Sequence, residues 1–185
     1  MNFIENRKGN RLHSRGMEIV TYECDEDHII VEGRLKDDRL VETYHVSGEK
    51  RPPQTVHDMT IQVQIDCRTL IIEDVHTEMP GVPHDGCDQT SESLNKLKGM
   101  RVSPGFTSKV KRALGGKRGC LHLTTLVLAM APAIMQGFWV HGSRDPGGRQ
   151  ITSDLIENYL VDTCWVWRRD GDLIKKYSPA GEKTR

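Results

Sequence analysis

The sequence predicts an α+β protein, in which a small N-terminal antiparallel sheet of about four strands is packed on one face by C-terminal helices. Two observations predict this class: strand-type alternation fills the first half of the chain, and helix-type spacing of apolar residues begins after residue 87. We expect a single domain over residues 17–168, preceded by a flexible arm (1–16) and followed by a polar tail (169–185).

The predicted sheet consists of four segments rich in β-branched residues. "MEIVTYEC" and "HIIVEGRL" flank the polar turn "DEDH" and predict a hairpin. "VSGEKRPPQ" supplies a Gly- and Pro-rich break before "HDMTIQVQID", and "TLIIEDVHTEM" gives the fourth strand. Because the side chains of a strand alternate between its two faces, His57 shares the apolar face of the third strand with Met59 and Ile61. We therefore expect His57 to point toward the helices and Asp58 to point away from them.

The second half of the chain predicts helices. "DQTSESLNKLKG" indicates a helix that ends at Gly99, and "TSKVKRALGG" indicates another, with Thr107 as its N-cap. A long apolar helix is expected to begin near Cys120. "TSDLIENYLVDTCW" predicts a last helix, capped by Thr152 or Ser153.

Composition excludes several classes of function. The 26 basic and 26 acidic side chains cancel, which argues against nucleic-acid binding. The N-terminus has no apolar signal segment, and the five cysteines include no CxxC pair, so we expect a cytoplasmic protein with reduced thiols. The apolar run 121–140 has the length of a membrane span, but polar residues and a proline interrupt it, and a buried core helix is the better interpretation.

Cys120 is the cysteine most open to activation. It follows Lys117 and Arg118 at a predicted helix N-terminus, where cations and the helix dipole both favour the thiolate. Cys87 has a related position, before the helix that begins at residue 88. His122 follows Cys120 by two residues, and their side chains converge only if Cys120 lies at or before the helix cap.

Thiolate and imidazole are common ligands of zinc and iron, so these residues form a candidate metal site. The candidate ligands are His57, Cys87, Cys120 and His122, with Asp58 as a further ligand or as a partner behind the ligands. The spacing lacks the short fixed intervals of a zinc finger. Two other interpretations therefore stay open: the cysteines are small buried apolar residues, and the histidines are hydrogen-bonded core residues or cap partners.

The motifs "VHDM", "GCLHL" and "VDTCWVW", together with a lone cysteine in a Pro/Gly loop, resemble an uncharacterised bacterial family called domain of unknown function 2889. The resemblance covers residues 15–167 approximately. The family name carries no activity, so the resemblance implies no substrate and no reaction.

The chain is also distantly similar to the iron-sulfur cluster scaffold proteins of the NifU/IscU type. "MTIQVQID" matches a strand of those proteins, which puts His57 at their carboxylate ligand, Cys87 at the loop cysteine and Cys120 at the helix cysteine. This similarity implies a sheet with helices on one face and a metal or sulfur site at its edge. Two departures stand against a cluster platform: the strand-opening cysteine has no counterpart, and His122 follows the helix cysteine instead of preceding it.

Two alternatives to metal binding remain. Cys120 without metal would be a nucleophile or sulfur acceptor, with His57 or His122 as its base. In a third interpretation the apolar segments "QGFWV" and "CWVW" bind an unknown protein partner or a second copy of the chain, although ordinary core packing also accounts for them. Catalytic signatures such as HExxH, GxSxG and the Rossmann fingerprint are absent from the sequence, and the question of enzyme activity stays open, with a non-catalytic role preferred.

Overall fold

The computed structural model describes residue 4 and residues 7–144, 146–148 and 152–177. Six strands come first and the helices follow, so the α+β class is confirmed. The strands are β1 (His13–Glu23), β2 (His28–Arg39), β3 (Thr43–Tyr44), β4 (Lys50–Arg51), β5 (Gln54–Asp66) and β6 (Ile71–Gly81). The α-helices are α1 (Phe106–Leu114), α2 (Leu121–Ser143), α3 (Ser153–Tyr159) and α4 (Asp172–Tyr177), and 3-10 helices span Asp88–Leu97 and Gly116–Arg118.

The main sheet is antiparallel and has the strand order β1-β2-β5-β6. β1 and β2 form the predicted hairpin, and β5 and β6 form a second one. The short ribbon β3-β4 was not predicted; it lies in the segment that the sequence indicated only as a Gly- and Pro-rich break. The register of β2 against β5 shifts after Asp37, where Val56 is the extra residue of a β-bulge.

One face of the main sheet carries the hydrophobic core. Alternate residues of β2 and β5 are buried there, and the long apolar helix α2 packs across them. Gly33 of β2 allows this close approach, because a Cβ atom at that position would lie 2.8 Å from the sulfur of Met130. The predicted arrangement of a sheet with helices on one face is therefore confirmed. The N-cap at Thr152 is confirmed as well, since its side chain accepts a hydrogen bond from the backbone N–H of Leu155.

Four details differ from the sequence prediction. The segment Asp88–Leu97 is a 3-10 helix instead of an α-helix, and α1 begins at Phe106 after Gly105, whose φ of 87° is left-handed, instead of after a cap at Thr107. β1 begins at His13, four residues before the expected start of the domain, because these residues pair with the end of β2. The expected polar tail contains α4. Residues 1–3 and 5–6 of the expected arm and 178–185 of the expected tail lie outside the described residues.

Helix α2 is the one helix in the described part of the chain that is long and apolar enough to cross a membrane. About half of its most apolar window is buried inside the protein, and its buried residues pack on β1, β2 and α1. A core helix of a globular domain has these same properties, so length and composition alone are weak evidence for a membrane span. We interpret α2 as the core helix of this domain.

Candidate functional site

Three residues of different strands form a row across the buried face of the sheet. Arg15 of β1 is paired with Asp37 of β2, and Asp37 is in turn paired with His57 of β5. Because each residue is directly opposite the next, their side chains point to the same side of the sheet. The row lies toward the end of the sheet where α2 begins.

Asp37 is the centre of this row and is the most buried carboxylate in the described chain. Its two oxygens accept hydrogen bonds from Arg15, from Nε at 2.6 Å and from Nη2 at 2.5 Å. The second oxygen also lies 3.0 Å from Nδ1 of His57. A buried carboxylate is costly unless it is paired, and here the arginine and the imidazole satisfy it.

His122, from the first turn of α2, completes the cluster from above the sheet. Its ring packs against the ring of His57, tilted by 32° with 3.8 Å between the centroids, and its Nε2 atom lies 3.9 Å from the second oxygen of Asp37. The ligand atoms of Asp37, His57 and His122 all lie within 4.8 Å of one another. The described residues thus contain a His/Asp cluster of the size that holds a metal ion.

The charges of the cluster follow from burial and from the arginine. The hydrogen bonds from Arg15 lower the pKa of Asp37 against the opposing effect of burial, so Asp37 is an anion at neutral pH. Burial lowers the pKa of His122, and His57 and Arg15 act in the same direction. His122 is therefore neutral near pH 7, and a neutral imidazole is the form that binds metals.

A cavity of about 550 Å³ adjoins this cluster. It lies beside two irregular points of the sheet, the bulge at Val56 and a second register shift where Met59 of β5 faces the end of β6. Bulges redirect side chains and are common next to functional sites. Four of the five residues that the sequence selected lie in the cavity wall: His57, Cys87, Cys120 and His122.

Cys120 occupies the N-cap position of α2, with an extended backbone (φ −92°, ψ 136°). The cap geometry allows its sulfur to turn toward the residue two positions later, and Sγ lies 3.8 Å from Nδ1 of His122. This is the condition under which the sequence predicted that the pair would converge. Cys87 precedes the 3-10 helix that begins at Asp88 and reaches the same cavity from the loop after β6. Both thiols are free and partly buried.

Asp58 lies on the opposite face of the sheet. Its carboxylate accepts hydrogen bonds from Arg34, at 3.0 Å from Nε and 2.8 Å from Nη2, and it is not part of the cavity wall. Alternation along β5 explains this position, since a neighbour of His57 must face the other way. The structure therefore does not bring Asp58 to the cavity that the other four residues line. Of those four, His57 and His122 belong to the described cluster whose ligand atoms lie within 4.8 Å of one another, and Cys87 and Cys120 do not.

Residues at the site that were missed from the sequence include Arg15, Asp37 and His84. Asp37 continues the buried alternation of Ile29, Val31 and Leu35 in β2, so the periodicity that selected His57 is the signal that could have found it. His84 lines the cavity from the loop after β6, and nothing in the sequence separated it from other exposed loop histidines. The remaining cysteines are elsewhere: Cys67 is in the core, and Cys24 and Cys164 are exposed.

Comparison with known proteins identifies the family. A family model described as "Protein of unknown function (DUF2889)" matches residues 13–136. The chain therefore belongs to this family, as its motifs indicated. The comparisons found no match among curated proteins and none among solved structures, so no structural neighbour supports the similarity to NifU/IscU-type scaffolds.

Proposed function

We propose that this protein binds one transition-metal ion, zinc or iron, with His57, Cys87, Cys120 and His122 as ligands. The observation that carries the proposal is the close contact between the rings of His57 and His122 at the wall of a cavity that two free thiols share. Two sulfur and two nitrogen donors are a common tetrahedral set for zinc, and the same donors bind iron. A single ion also fits the absence of a third cysteine from the cavity wall among the described residues.

Asp37 acts behind the ligands in this proposal. Its oxygens are already engaged by Arg15, while its contact with Nδ1 of His57 fixes the orientation of that ring. The other ring nitrogen, Nε2, is then the metal-binding atom of His57. A carboxylate behind a ligating histidine is frequent in metal sites, where it sets the tautomer and increases the basicity of the imidazole.

The biological setting that we propose is the cytoplasm, where reducing conditions keep the thiols free. A role in sulfur or iron-sulfur handling is supported only by the sequence similarity to the scaffold proteins. The cysteine platform of those scaffolds is not reproduced, so we propose an ion-binding protein instead of a cluster assembly site.

Metal analysis of protein purified without chelator tests the proposal. We expect about one zinc or iron per chain, and a loss of the metal after treatment with a strong chelator. Alkylation followed by mass mapping supplies the internal control. Chelation should accelerate the labelling of Cys87 and Cys120 by at least about tenfold, because a metal-bound thiolate is protected, and should leave the exposed Cys24 and Cys164 unchanged. The proposal would be refuted if the purified protein contained no metal and added zinc did not slow the alkylation of Cys87 and Cys120.

A second candidate function is thiol chemistry without metal. It is favoured by a line of three groups: Sγ of Cys120 lies 3.8 Å from Nδ1 of His122, and Nε2 of that ring lies 3.9 Å from Asp37. A thiol, an imidazole and an orienting carboxylate in this order form the arrangement of cysteine nucleophiles. In that case Cys120 of chelator-treated protein alkylates faster than Cys24 below pH 7, and His122→Gln removes the difference. Equal rates would exclude it.

A further inference from the structure

The wall of the cavity beside the His/Cys cluster is mainly apolar. Met59 and Met79 come from the sheet, Val56 comes from the bulge, and Leu121 comes from the first residue of α2. Leu121 is 75% exposed, which places an apolar side chain in water at the cavity mouth. The volume of about 550 Å³ lies in the range of small-molecule pockets, which are also mostly apolar with a few polar groups that fix the ligand.

Arg51 supplies the one guanidinium of this wall among the described residues. It lies in β4, it is partly buried, and its side chain has no hydrogen bond or ion pair with any residue that the structure describes. The other charged or chargeable groups of the described cavity wall are imidazoles and thiols, and no carboxylate is among them. The negative charge of the nearby Asp37 is balanced by the guanidinium of Arg15. The cavity therefore favours an anion beside an apolar surface.

We infer that this cavity binds a small monocarboxylate with an apolar body. The carboxylate meets the guanidinium of Arg51 in a bidentate contact, and the apolar body lies against Met59, Met79 and Leu121. This orientation brings the ligand against the wall that carries Cys120 and His122. The inference rests on the proposed function in one respect only, namely that this wall holds the metal or the reactive thiol.

Calorimetric titration of the full chain with octanoate, octanol and octylammonium tests the inference, since the three probes share an apolar chain and differ in charge. We expect octanoate to bind about tenfold or more tightly than octanol, and octylammonium to bind weakest, because only octanoate makes the charge-assisted contact with Arg51. Arg51→Gln should lower the affinity for octanoate to that for octanol and leave octanol unchanged. Arg112→Gln, on the exposed face of α1, is the matched control and should change neither.

A second variant separates charge from apolar contact. Leu121→Ala removes an exposed side chain, so it leaves the core intact, and it should weaken octanoate and octanol by the same factor of about two to five. Equal affinity of the wild-type chain for octanoate and octanol, or no effect of Arg51→Gln, would overturn the inference.

Titrations of chelator-treated and zinc-loaded protein distinguish this inference from the proposed function. If the chain binds octanoate but retains no zinc after loading and removal of free zinc, the inference stands and the metal proposal fails. A metal-loaded protein that does not bind octanoate keeps the metal proposal and removes the inference.

Discussion

Two arginine–aspartate pairs lie on opposite faces of the same sheet. In each, one arginine donates from Nε and Nη2 to the two oxygens of one carboxylate: Arg15 to Asp37 on the helix-covered face, and Arg34 to Asp58 on the open face. The side chain of Asp37 is 3% exposed, while that of Asp58 is 18% exposed. The two pairs therefore share their chemistry and differ in their surroundings.

The two pairs differ in the other groups that surround each carboxylate. Asp37 lies 3.0 Å from the ring of His57, under α2 and beside the cavity, whereas Asp58 has Lys36 as its further charged neighbour and faces solvent. An arginine–aspartate pair is thus not a site by itself. In the proposed metal site, burial and the two adjacent imidazoles make the inner pair a support for ligand atoms, and the outer pair is a matched control that the chain itself supplies.

The largest effect is expected when an inner imidazole is removed. His57→Gln or His122→Gln should weaken zinc binding by more than about a hundredfold. Mutation of a residue that only contacts a ligand already lowers metal affinity by about ten- to a hundredfold, and loss of the ligand itself should cost more. His76, an exposed histidine of β6, is the control, and His76→Gln should leave the affinity unchanged. Competition with a chromogenic zinc chelator measures all three variants, and equal affinities would contradict the assignment of the ligands.

The second-largest effect is expected for Asp37→Asn, with Asp58→Asn as its direct comparison. Asp37→Asn should weaken zinc binding by about ten- to a hundredfold, because His57 loses the partner that orients it. The same variant should lower the free energy of unfolding in urea by about 1–2 kcal/mol, since Arg15 loses a charge-assisted pair but keeps a side chain that is 36% exposed to water. Asp58→Asn should leave zinc affinity unchanged and cost much less stability. Similar zinc affinities for the two variants would remove the distinction between the faces.

Substitution of the arginines should have a smaller effect. Arg15→Gln leaves the contact between Asp37 and His57 in place but loosens the carboxylate, so we expect zinc binding to weaken by about two- to fivefold. Arg34→Gln should have no effect on the metal. The same competition assay checks both variants. An equal loss of zinc affinity in the two would show that Arg15 acts only through its positive charge and not through its contact with Asp37.

The smallest effect is a pH dependence in the metal-free protein. The pKa of His122 is lowered by burial, so below about pH 6.5 the unfolded chain binds a proton that the folded chain does not bind. The free energy of unfolding should therefore fall as pH decreases from about 6.5 toward the lower pKa of the folded state. His122→Gln should flatten this slope in urea titrations between pH 7 and 5, whereas His76→Gln should retain it. An identical slope in both variants would show that the pH dependence does not originate at His122.

Periodicity in the sequence predicted the sheet, the packing of helices on one face and the inward direction of His57. The same periodicity in β2 also contains Asp37, but an aspartate near the end of a strand is usually exposed, so the pattern did not select it. The geometry of Cys120 and His122 depended on the cap at the start of α2, and the glycines before it indicated this position correctly.

The rest of the site depends on pairing between strands. The row from Arg15 through Asp37 to His57 exists only because the registers of two strand pairs align, and a shift of one residue would turn each side chain to the other face. The position of Cys87 depends on the loop after β6 and on a 3-10 helix, whose spacing resembles that of an α-helix in sequence. Such arrangements are non-local, so periodicity along one segment does not identify them.

The central claim is that sulfur and nitrogen atoms of this cavity bind one metal ion. X-ray absorption spectroscopy of the zinc-loaded protein tests it most directly. We predict two sulfur neighbours at about 2.3 Å and two imidazole nitrogens at about 2.0–2.1 Å, with the sulfur signal reduced in Cys120→Ser. A shell of nitrogen and oxygen atoms alone, or a sulfur signal that Cys120→Ser leaves unchanged, would contradict the account.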